Sequence, residues 1–481
     1  MSPNTPILPC PSSSSIIITP TSPPSHPLQS PTFSIPPSLQ PHLDTAASHL
    51  RAGRTVAFPT ETVYGLGASS LNTEATRLIY KIKNRPSDNP LIMHVSSLDM
   101  LNRLLPPPDS YRPSRLYLAL MSAFWPGPLT LLFPSPNPPP PPAPQTNAIR
   151  MPSHPLALAL IHTADLPVSA PSANSSGRPS PTQAIHVYND LNGAEGLGCI
   201  LDGGDCGVGV ESTVVNGLNW KEGGGGFVDV LRPGGLGVEE IARIVAEVDG
   251  QQGSTRILVH GKPWSPNAVA STSTAHLTPK PKIDLPPSTP GMKYRHYSPG
   301  VPVYLLLPSN IFSRPADLPR EAETSARGLL RSLATRHGKA QRPLRFGLLH
   351  YDSSPISQRL LGSSTESGDL DVQLIPLSLG ADATSAAQRL FGGMLKLEGR
   401  QLVNGVVSND IAANGDSHTV ASDRGVDAIL IEGCTDEGLG LAVMERVGKA
   451  VGGGGVTGGL ANGQVGAVRG SNGRFWVDVT R

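Results

Sequence analysis

Apolar and polar positions follow two patterns along the chain, short strand-like runs and longer helix-like stretches, which together predict an α/β fold. In the first half the strand-like runs are 55–58, 91–95, 129–133, 166–170, 213–215 and 228–231, and the helix-like stretches are 75–82, 156–163 and 238–245. The uncharged stretch 116–133 raises the question of a membrane span, but Pro126-Gly-Pro128 interrupts it. We interpret it as a helix, a turn and a strand. These patterns predict one α/β domain over residues 45–248.

The most distinctive polar segments flank the first predicted helix. Phe58-Pro-Thr-Glu-Thr-Val-Tyr-Gly-Leu-Gly-Ala68 follows the first strand, and Lys83-Asn-Arg-Pro-Ser-Asp-Asn-Pro90 follows the helix. Asn72 can cap this helix, and Pro86 biases Arg85 away from helical dihedral angles, so the cations should return towards the Thr-Glu-Thr turn. The sequence predicts a strand-helix-strand crossover from 55 to 95 whose polar ends hold a phosphate beside a small polar molecule.

A second alternation of strand and helix patterns fills residues 300–481. Strand-like runs at 301–307, 345–350 and 426–431 alternate with helix-like stretches at 385–397 and 438–451, and 474–480 is a possible closing strand. We predict a small Rossmann-like α/β domain with a flexible Gly-rich tail. Residues 249–299 lose periodicity and read as a linker. Its motif Pro290-Gly-Met-Lys-Tyr-Arg-His-Tyr-Ser-Pro299 carries cations and aromatic rings, as expected of a segment that folds onto a neighbouring site.

Composition narrows the possible classes of protein. The charge is balanced, with 38 Lys and Arg against 37 Asp and Glu, so no global field attracts nucleic acid or a membrane, and any RNA contact should be local and weak. The four cysteines form no CxxC pair and no His/Cys cluster, which indicates neither disulfides nor structural zinc and favours a reducing compartment. Residues 1–44 are rich in Pro, Ser and Thr and predict disorder without a targeting signal. We therefore expect a cytoplasmic protein.

Polar side chains at strand and helix ends are the candidate ligands. Lys83 and Arg85 suit phosphate or carboxylate, and Arg150 could clamp a carboxylate. The other candidates are Asn89 and His94 after the first helix, Ser172, Asn174 and Ser180 in a Ser/Gly-rich loop, and Ser212 and Arg232 at strand edges. Each one alone could be an ordinary surface residue, but we expect the strand ends to converge on one cleft. The sequence contains no G-x-S-x-G motif, the nucleophile elbow expected of many Ser/His/Asp hydrolases, and this argues against that class of enzyme.

Taken together, these motifs resemble the threonylcarbamoyl-AMP synthase family, in which a YrdC-like domain is followed by a C-terminal domain. The resemblance covers about residues 47–245, the motif at 290–299 and much of the chain to 451. The motifs occur in family order: Pro-Thr-Glu-Thr-Val-Tyr-Gly-Leu-Gly, Lys-x-Arg with Asn-Pro-Leu, Phe-Trp-Pro-Gly-Pro-Leu-Thr, Arg-Met-Pro-x-His-Pro, Ala-Pro-Ser-Ala-Asn, Glu-Ser-Thr-Val-Val and Arg-Pro-Gly. The chain departs from the family in its polyproline run before Ile149 and in Asn216, where an Asp is common.

The resemblance implies a twisted mixed sheet around a large concave positive cavity. It implies an enzyme that joins L-threonine, bicarbonate and ATP, with Mg²⁺, into L-threonylcarbamoyladenylate and releases pyrophosphate. A downstream threonylcarbamoyl transferase complex would use the product to modify a tRNA adenosine next to the anticodon. The threonine contacts fall on Thr62, His94, Arg150, Ala170 (through its backbone) and Ser212. The nucleotide contacts fall on Lys83, Arg85, Asn89, Asn147, Ser172, Asn174, Ser180 and Arg232, with His296 or Tyr297 closing as a lid. No protein side chain is assigned to the metal.

Two other functions compete with this interpretation. Isolated domains of this type resemble RNA-binding proteins with a positive cavity, although the balanced charge and the lack of interleaved basic and aromatic residues argue against RNA. A carbamoyltransferase acting on another acceptor is the second alternative, but such proteins usually carry zinc-finger or acylphosphatase-like parts that are not evident in this sequence. The residues do not identify a general base, and that part of the mechanism stays open.

Overall fold

The structure, a computed structural model, divides into two compact units. The residues it describes are 4–23, 26–138, 144–223, 225–265, 296–314, 325–338, 342–366, 371–399, 425–451 and 473–480. Unit 1 contains Met1–Tyr297, Ala381–Phe391 and Cys434–Lys449. Unit 2 contains Ser298–Gly380, Gly392–Gly433 and Ala450–Arg481. Two stretches from the second half of the chain therefore belong to unit 1, so the division into compact units differs from the predicted domain 300–481.

Strands and helices alternate in both units. The strands are β1 (Ile7–Pro9), β2 (Ile17–Thr19), β3 (Thr32–Ser34), β4 (Thr55–Phe58), β5 (Gly65–Ser69), β6 (Ile92–His94), β7 (Leu129–Pro134), β8 (Thr146–Arg150), β9 (Val168–Ser169), β10 (Leu197–Asp202), β11 (Thr213–Asn216), β12 (Phe227–Arg232), β13 (Arg256–Val259), β14 (Lys262–Pro263), β15 (Val303–Pro308), β16 (Leu344–Tyr351), β17 (Val372–Gly380), β18 (Ala428–Glu432) and β19 (Arg474–Val477). The helices are α1 (Gln40–Arg51), α2 (Thr73–Lys83), α3 (Leu98–Asn102), α4 (Arg115–Phe124), α5 (Pro155–Ala164), α6 (Ala184–Leu191), α7 (Val238–Asp249), α8 (Ala326–His337), α9 (Pro355–Glu366), α10 (Ala383–Glu398) and α11 (Gly440–Ala450).

A twelve-stranded mixed sheet forms the centre of unit 1, which confirms the predicted fold class. Its order is β1-β10-β4-β5-β9-β6-β8-β7-β11-β12-β13-β14. Helix α2 begins at the predicted cap, because the side chain of Asn72 accepts a hydrogen bond from the Ala75 N–H, and it buries Ala75 and Ile79. Residues 116–133 form α4, a turn and β7, as predicted. No helix among the described residues is both long enough and apolar enough to cross a bilayer.

The predicted crossover is displaced by one strand. Gly65–Ser69, expected to be part of a turn, forms the fully buried strand β5, which pairs antiparallel with both β4 and β9. Since β6 also runs antiparallel to β9, the parallel crossover is β5-α2-β6 and does not start at β4. The glycines serve close packing here, because a Cβ on Gly67 would lie 2.6 Å from both Phe58 Cε1 and Val168 Cγ1.

The prediction of a disordered N-terminus is wrong for the described residues of 1–44. Strand β1 adds to the sheet by parallel pairing with β10, and Cys10 directly after it is fully buried. Helix α1 begins at Gln40 and buries Leu43, Ala46, Ala47 and Leu50. The composition of this segment suggested too few apolar residues to form a core. A few apolar residues are enough to order a strand when the edge of an existing sheet supplies its hydrogen bonds.

The linker prediction is also wrong in part. Residues 256–263 form β13 and β14, which extend the sheet beyond β12. Residues 266–295, with most of the predicted lid motif, lie outside the described residues. The domain boundary predicted at 248 therefore falls before the last two strands of unit 1.

Unit 2 is built on five parallel strands in the order β17-β16-β18-β15-β19. The centre of the sheet is apolar, and β18 is buried along its whole length. Strand β19 is the closing strand that the sequence suggested, since it pairs with β15. An all-parallel sheet of this kind agrees with the predicted α/β class of the second half.

Candidate active site

A concave cavity in unit 1 encloses about 660 Å³ of space, part of it open to solvent. The strand-end motifs predicted to converge do meet in its wall. The lining residues are Thr60, Thr62, Val63, Gly65, Arg85, Ile92, His94, Arg150, Ala170, Pro171, Ser172, Asn174, Arg178, Ser180, Glu211, Ser212, Arg232, His296 and Tyr297. Twelve of the fifteen predicted site residues are among them, and Lys83, Asn89 and Asn147 are not.

Arg150 is the centre of a buried polar network at the end of β8. It is 3% exposed, and its Nη2 atom lies 2.5 Å from Glu61 Oε1. Its Nη1 atom donates to Thr62 Oγ1 at 2.9 Å, and its Nε atom donates to the Gly127 carbonyl oxygen at 3.1 Å. These contacts fix the guanidinium plane in the cavity wall, where it can form a paired contact with a carboxylate.

The hydroxyl of Thr62 has a defined hydrogen-bonding polarity. Thr60 donates its own hydroxyl proton to the carbonyl oxygen of Val63 at 2.7 Å, so the 2.7 Å contact between Thr60 and Thr62 uses the proton of Thr62. Thr62 also accepts from Arg150. A ligand can therefore meet only a remaining lone pair on Thr62, which makes this residue an acceptor.

His94 and Ala170 lie beside this network. His94 is 3% exposed, its Nδ1 atom donates to the Ile92 carbonyl oxygen at 3.2 Å, and burial together with Arg150 lowers its pKa to about 3. The ring is therefore neutral at physiological pH. The N–H of Ala170 donates to the Ile92 carbonyl oxygen at 3.0 Å, so the backbone contact predicted for Ala170 must come from its own carbonyl oxygen.

The segment after α2 orients Arg85 by hydrogen bonds to its own loop. Arg85 Nε donates to the Asn89 carbonyl oxygen at 3.0 Å, and Nη2 donates to the Pro90 carbonyl oxygen at 2.8 Å. Burial lowers the pKa of Arg85 to about 10, which still leaves it protonated at neutral pH. Asn89 does not line the cavity and is only 1% exposed. Neither polar atom of its side chain has a hydrogen-bond partner among the described residues.

Lys83 and Asn147 do not occupy the places that the sequence suggested. Lys83 is 1% exposed, and its Nζ atom donates to the carbonyl oxygens of Ser172, at 2.5 Å, and Asn174. It thus anchors the Ser/Gly-rich loop, and its contact with a phosphate stays a prediction. Asn147 is three residues before Arg150 on β8, and because side chains alternate along a strand it faces away from the cavity.

Replacing Lys83 with methionine should lower the free energy of unfolding by about 2 kcal/mol, because two buried carbonyl oxygens each lose the hydrogen bond from Lys83. ATP affinity should fall only severalfold, as the loop from Ser172 to Asn174 loosens. Urea denaturation and calorimetry measure the two effects, and Lys81→Met on the same helix is the matched control because Lys81 is exposed and pairs with Glu195. A loss of ATP affinity near a hundredfold with unchanged stability would instead place Lys83 on a phosphate.

Hydrogen bonds connect three polar segments of the cavity wall, those that contain Ser180, Glu211-Ser212 and Arg232. Ser180 donates its hydroxyl proton to Glu211 Oε1 at 2.5 Å. Ser212 lies 2.8 Å from Thr130 through the two hydroxyl oxygens, and its carbonyl oxygen accepts from Arg232 Nε at 3.2 Å and Nη2 at 2.8 Å. Burial lowers the pKa of Arg232 from its usual value. These bonds place Arg232 in the wall in a fixed orientation.

His296 and Tyr297 are the described part of the predicted lid motif, and both line the cavity. Burial, assisted by Lys449 and Arg85, lowers the pKa of His296 to about 3, and its Nε2 atom has no partner among the described residues. Tyr297 is 5% exposed, and its ring stacks on Phe391 at 5.1 Å between ring centres. Burial and Glu211 raise the pKa of Tyr297 to about 12.

Sequence reasoning missed several residues that shape the site. Glu61 pairs with Arg150, and Glu211 accepts from Ser180 and pairs with Arg446. Both glutamates lie in motifs that are recognisable in the sequence. An ion pair between one of these carboxylates and the predicted carboxylate-binding arginine, Arg150, could therefore have been predicted. Arg446 carried no signal, because nothing in the chain order reveals that α11 returns to unit 1.

The described residues contain no group of three or more His, Cys, Asp or Glu side chains arranged to hold a metal ion. The two carboxylates near the cavity are already engaged, Glu61 by Arg150 and Glu211 by Arg446. This donor set fits anionic ligands better than a metal held by protein side chains alone.

Comparisons with known proteins agree with this geometry. Residues 48–234 match the Sua5_yciO_yrdC family model, described as telomere recombination, and residues 238–452 match the model described as threonylcarbamoyl-AMP synthase, C-terminal domain. The threonylcarbamoyl-AMP synthase of Schizosaccharomyces pombe is 39% identical over 448 residues, which are 88% of this chain and 92% of that protein. The Pyrococcus abyssi synthase is 34% identical over 410 residues, 85% of this chain and 93% of that protein.

A solved structure shares the fold over a similar extent. The crystal structure of P. abyssi Sua5 complexed with L-threonine matches with a TM-score of 0.58 and 32% sequence identity, over 85% of this chain and 93% of that one. The fold and the cavity thus define a YrdC-like domain followed by a second α/β unit. On the identity and coverage of its relatives, the chain belongs to the threonylcarbamoyl-AMP synthase family.

Proposed function

We propose that this chain joins L-threonine, bicarbonate and ATP into L-threonylcarbamoyladenylate and releases pyrophosphate. Family membership supports the reaction, and the crystallisation of the P. abyssi relative with L-threonine supports the amino acid. The observation that carries the proposal is one cavity that combines a buried carboxylate clamp, Arg150, with two further arginines, Arg85 and Arg232.

Arg150, Thr62, His94, Ala170 and Ser212 form the proposed threonine site. The carboxylate of the amino acid would pair with Arg150, whose plane is already fixed by Glu61 and Thr62. The acceptors on Thr62 and Ala170 suit the N–H groups of the amino acid. The neutral ring of His94 adds no second positive charge beside the amine, which must be unprotonated to take up carbon dioxide or bicarbonate.

Arg85, Ser172, Asn174, Ser180 and Arg232 form the proposed nucleotide site. The threonine amine and bicarbonate give a carbamate and water, and a carbamate oxygen then attacks the α-phosphate of ATP while the bond to pyrophosphate breaks. Negative charge develops on the phosphate oxygens during this step. Arginines held in place by protein carbonyls stabilise that charge without having to reorganise, which is the main source of rate acceleration in such a site.

Mg²⁺ enters this proposal with the nucleotide. The ion would arrive on the phosphate oxygens of ATP and supply charge neutralisation for the departing pyrophosphate. Residues of the chain would orient the same phosphates through Arg85 and Arg232. His296 and Tyr297 would exclude water over the nucleotide, a role supported by their burial in the cavity wall.

The product would leave for a threonylcarbamoyl transferase complex that modifies a tRNA adenosine next to the anticodon. The balanced charge of the chain favours an indirect or weak contact with tRNA over a stable complex. A cytoplasmic location, where ATP and tRNA meet, completes the proposal.

The test is pyrophosphate release by the full chain with ATP, Mg²⁺ and bicarbonate, in the presence and absence of L-threonine. We expect release to require both threonine and bicarbonate, and mass spectrometry to detect the threonylcarbamoyl adenylate. Release at the same rate without threonine, or with serine replacing it equally well, would refute the substrate assignment.

A further inference from the structure

Arg446 contacts two cavity-lining residues, Glu211 and Tyr297, although it lies far along the chain. It is carried by α11, is 1% exposed and belongs to the same compact unit as the cavity. Its Nε and Nη2 atoms donate to Glu211 Oε2 at 3.1 and 3.0 Å, and its Nη1 atom donates to the Pro233 carbonyl oxygen at 2.5 Å. Its guanidinium carbon lies 5.8 Å from the centre of the Tyr297 ring. Every donor nitrogen of Arg446 is thus used within the protein.

The contact with Arg446 keeps Glu211 ionised. Burial alone would raise the pKa of Glu211, but Arg446 and then Arg232 outweigh it and lower the pKa to about 2. Burial alone would lower the pKa of Arg446, but Glu211, followed by Tyr297 and Glu445, outweighs it and the pKa is raised. Both groups are therefore charged at neutral pH, and an ionised carboxylate can only accept hydrogen bonds.

This state of Glu211 determines what Ser180 offers to the cavity. A serine hydroxyl has one proton and two lone pairs, and the proton of Ser180 is committed to Glu211 Oε1 at 2.5 Å. Only a lone pair on the Ser180 oxygen remains for a ligand. If Glu211 were absent or neutral, the hydroxyl could rotate and donate to an anionic oxygen.

We propose that Arg446 is a positioning residue of the nucleotide site, because through Glu211 it holds Ser180 as a hydrogen-bond acceptor that selects an N–H or O–H group of the nucleotide. The group facing Ser180 is then the amino group of the base or a ribose hydroxyl, and not a phosphate oxygen. This inference rests on the proposed function, since it takes the ligand to be a nucleotide. It gives the segment Cys434–Lys449 an indirect part in substrate selection, through Glu211 and Ser180.

The experiment compares dissociation constants for ATP and three analogues, measured by calorimetry on the full chain without threonine. Purine ribonucleoside triphosphate, 2′-deoxy-ATP and 3′-deoxy-ATP each lack one donor. We expect the wild type to bind one of them about tenfold more weakly than ATP, because the buried acceptor on Ser180 loses its partner. Ser180→Ala and Arg446→Met should abolish this preference, whereas Arg446→Lys should retain part of it.

Matched variants separate this effect from misfolding. Arg446→Met leaves the Glu211 carboxylate buried without its partner, which can destabilise the unit. The double variant Glu211→Leu with Arg446→Met removes both that charge and the acceptor of the Ser180 proton, so it should melt near the wild-type temperature and still lack the preference. Arg243→Met is the control, because Arg243 is exposed on α7 and pairs only with neighbouring glutamates in the described contacts, and it should keep the preference.

Two outcomes would overturn the inference. One is a preference that Ser180→Ala leaves unchanged, which would remove Ser180 from nucleotide selection. The other is a preference that Ser180→Ala abolishes but Arg446→Met and the double variant retain, which would reduce Arg446 to a structural residue. Because ATP binding is measured without threonine, both outcomes differ from a failure of threonine-dependent pyrophosphate release, which would refute the proposed function.

Discussion

Replacing Arg150 with alanine should raise the KM for L-threonine by at least about a hundredfold while leaving the affinity for ATP within a few fold of the wild type. Arg150 is the buried cation of the proposed threonine site, and loss of a buried charge from a hydrogen-bonded pair costs about 3–5 kcal/mol. Part of that cost falls on the protein itself, since Glu61 is left without its partner. Steady-state pyrophosphate release at varied threonine measures the effect.

Two further variants test whether the loss of threonine affinity comes from the Arg150 guanidinium group. Arg150→Lys keeps the charge but loses the planar fork, so threonine should still bind much more weakly than in the wild type. The double variant Glu61→Gln with Arg150→Ala should recover stability in thermal melts without recovering threonine affinity. Arg103→Ala removes an exposed arginine paired with Asp165 and should change neither quantity. An unchanged KM in Arg150→Ala would place the threonine carboxylate elsewhere in the cavity.

The convergence of strand-end motifs was predictable because it depends on topology more than on side-chain detail. Polar residues that follow strands of one sheet lie along the same edge, so Arg150, Ser172, Ser212 and Arg232 could be assigned to one cleft from the sequence. Side-chain direction was not predictable in the same way. Lys83 ends its helix as expected, yet its amino group turns inward to the carbonyl oxygens of Ser172 and Asn174, which lie 89 and 91 residues later in the chain.

Glycine was the main source of error in the fold. Glycines in a polar motif usually mark a turn, so Gly65 and Gly67 gave no sign of a buried strand. Glycine is needed at these two positions because Phe58, Val168 and Ala170, which are distant in the sequence, pack closely against the backbone.

The assignment of residues 381–391 and 434–449 to unit 1 was not predictable either, since a contact between distant segments leaves no local pattern in the sequence.

Replacing Arg85 with alanine should lower kcat/KM for ATP by about 10²–10³, the loss seen when one preorganised donor to a developing negative charge is removed. Arg85 is held in the cavity wall by its bonds to the carbonyl oxygens of Asn89 and Pro90, and it stays protonated at neutral pH although burial lowers its pKa to about 10. The threonine dissociation constant should not change, because the contacts of Arg150 do not involve Arg85.

The effect of Arg85→Ala on catalysis must be separated from its effect on the folding of the loop from Arg85 to Pro90. Alanine at position 85 also removes two hydrogen bonds to backbone carbonyls, so a moderate fall in melting temperature is expected. Arg85→Lys returns a charge without the fork and should recover only part of the rate. Arg77→Ala is the matched control, since Arg77 lies on α2 and is exposed beside Glu74. Turnover in Arg85→Ala equal to that of Arg77→Ala would exclude Arg85 from the phosphate site and leave Arg178 and Arg232 in the cavity wall as the cations to test.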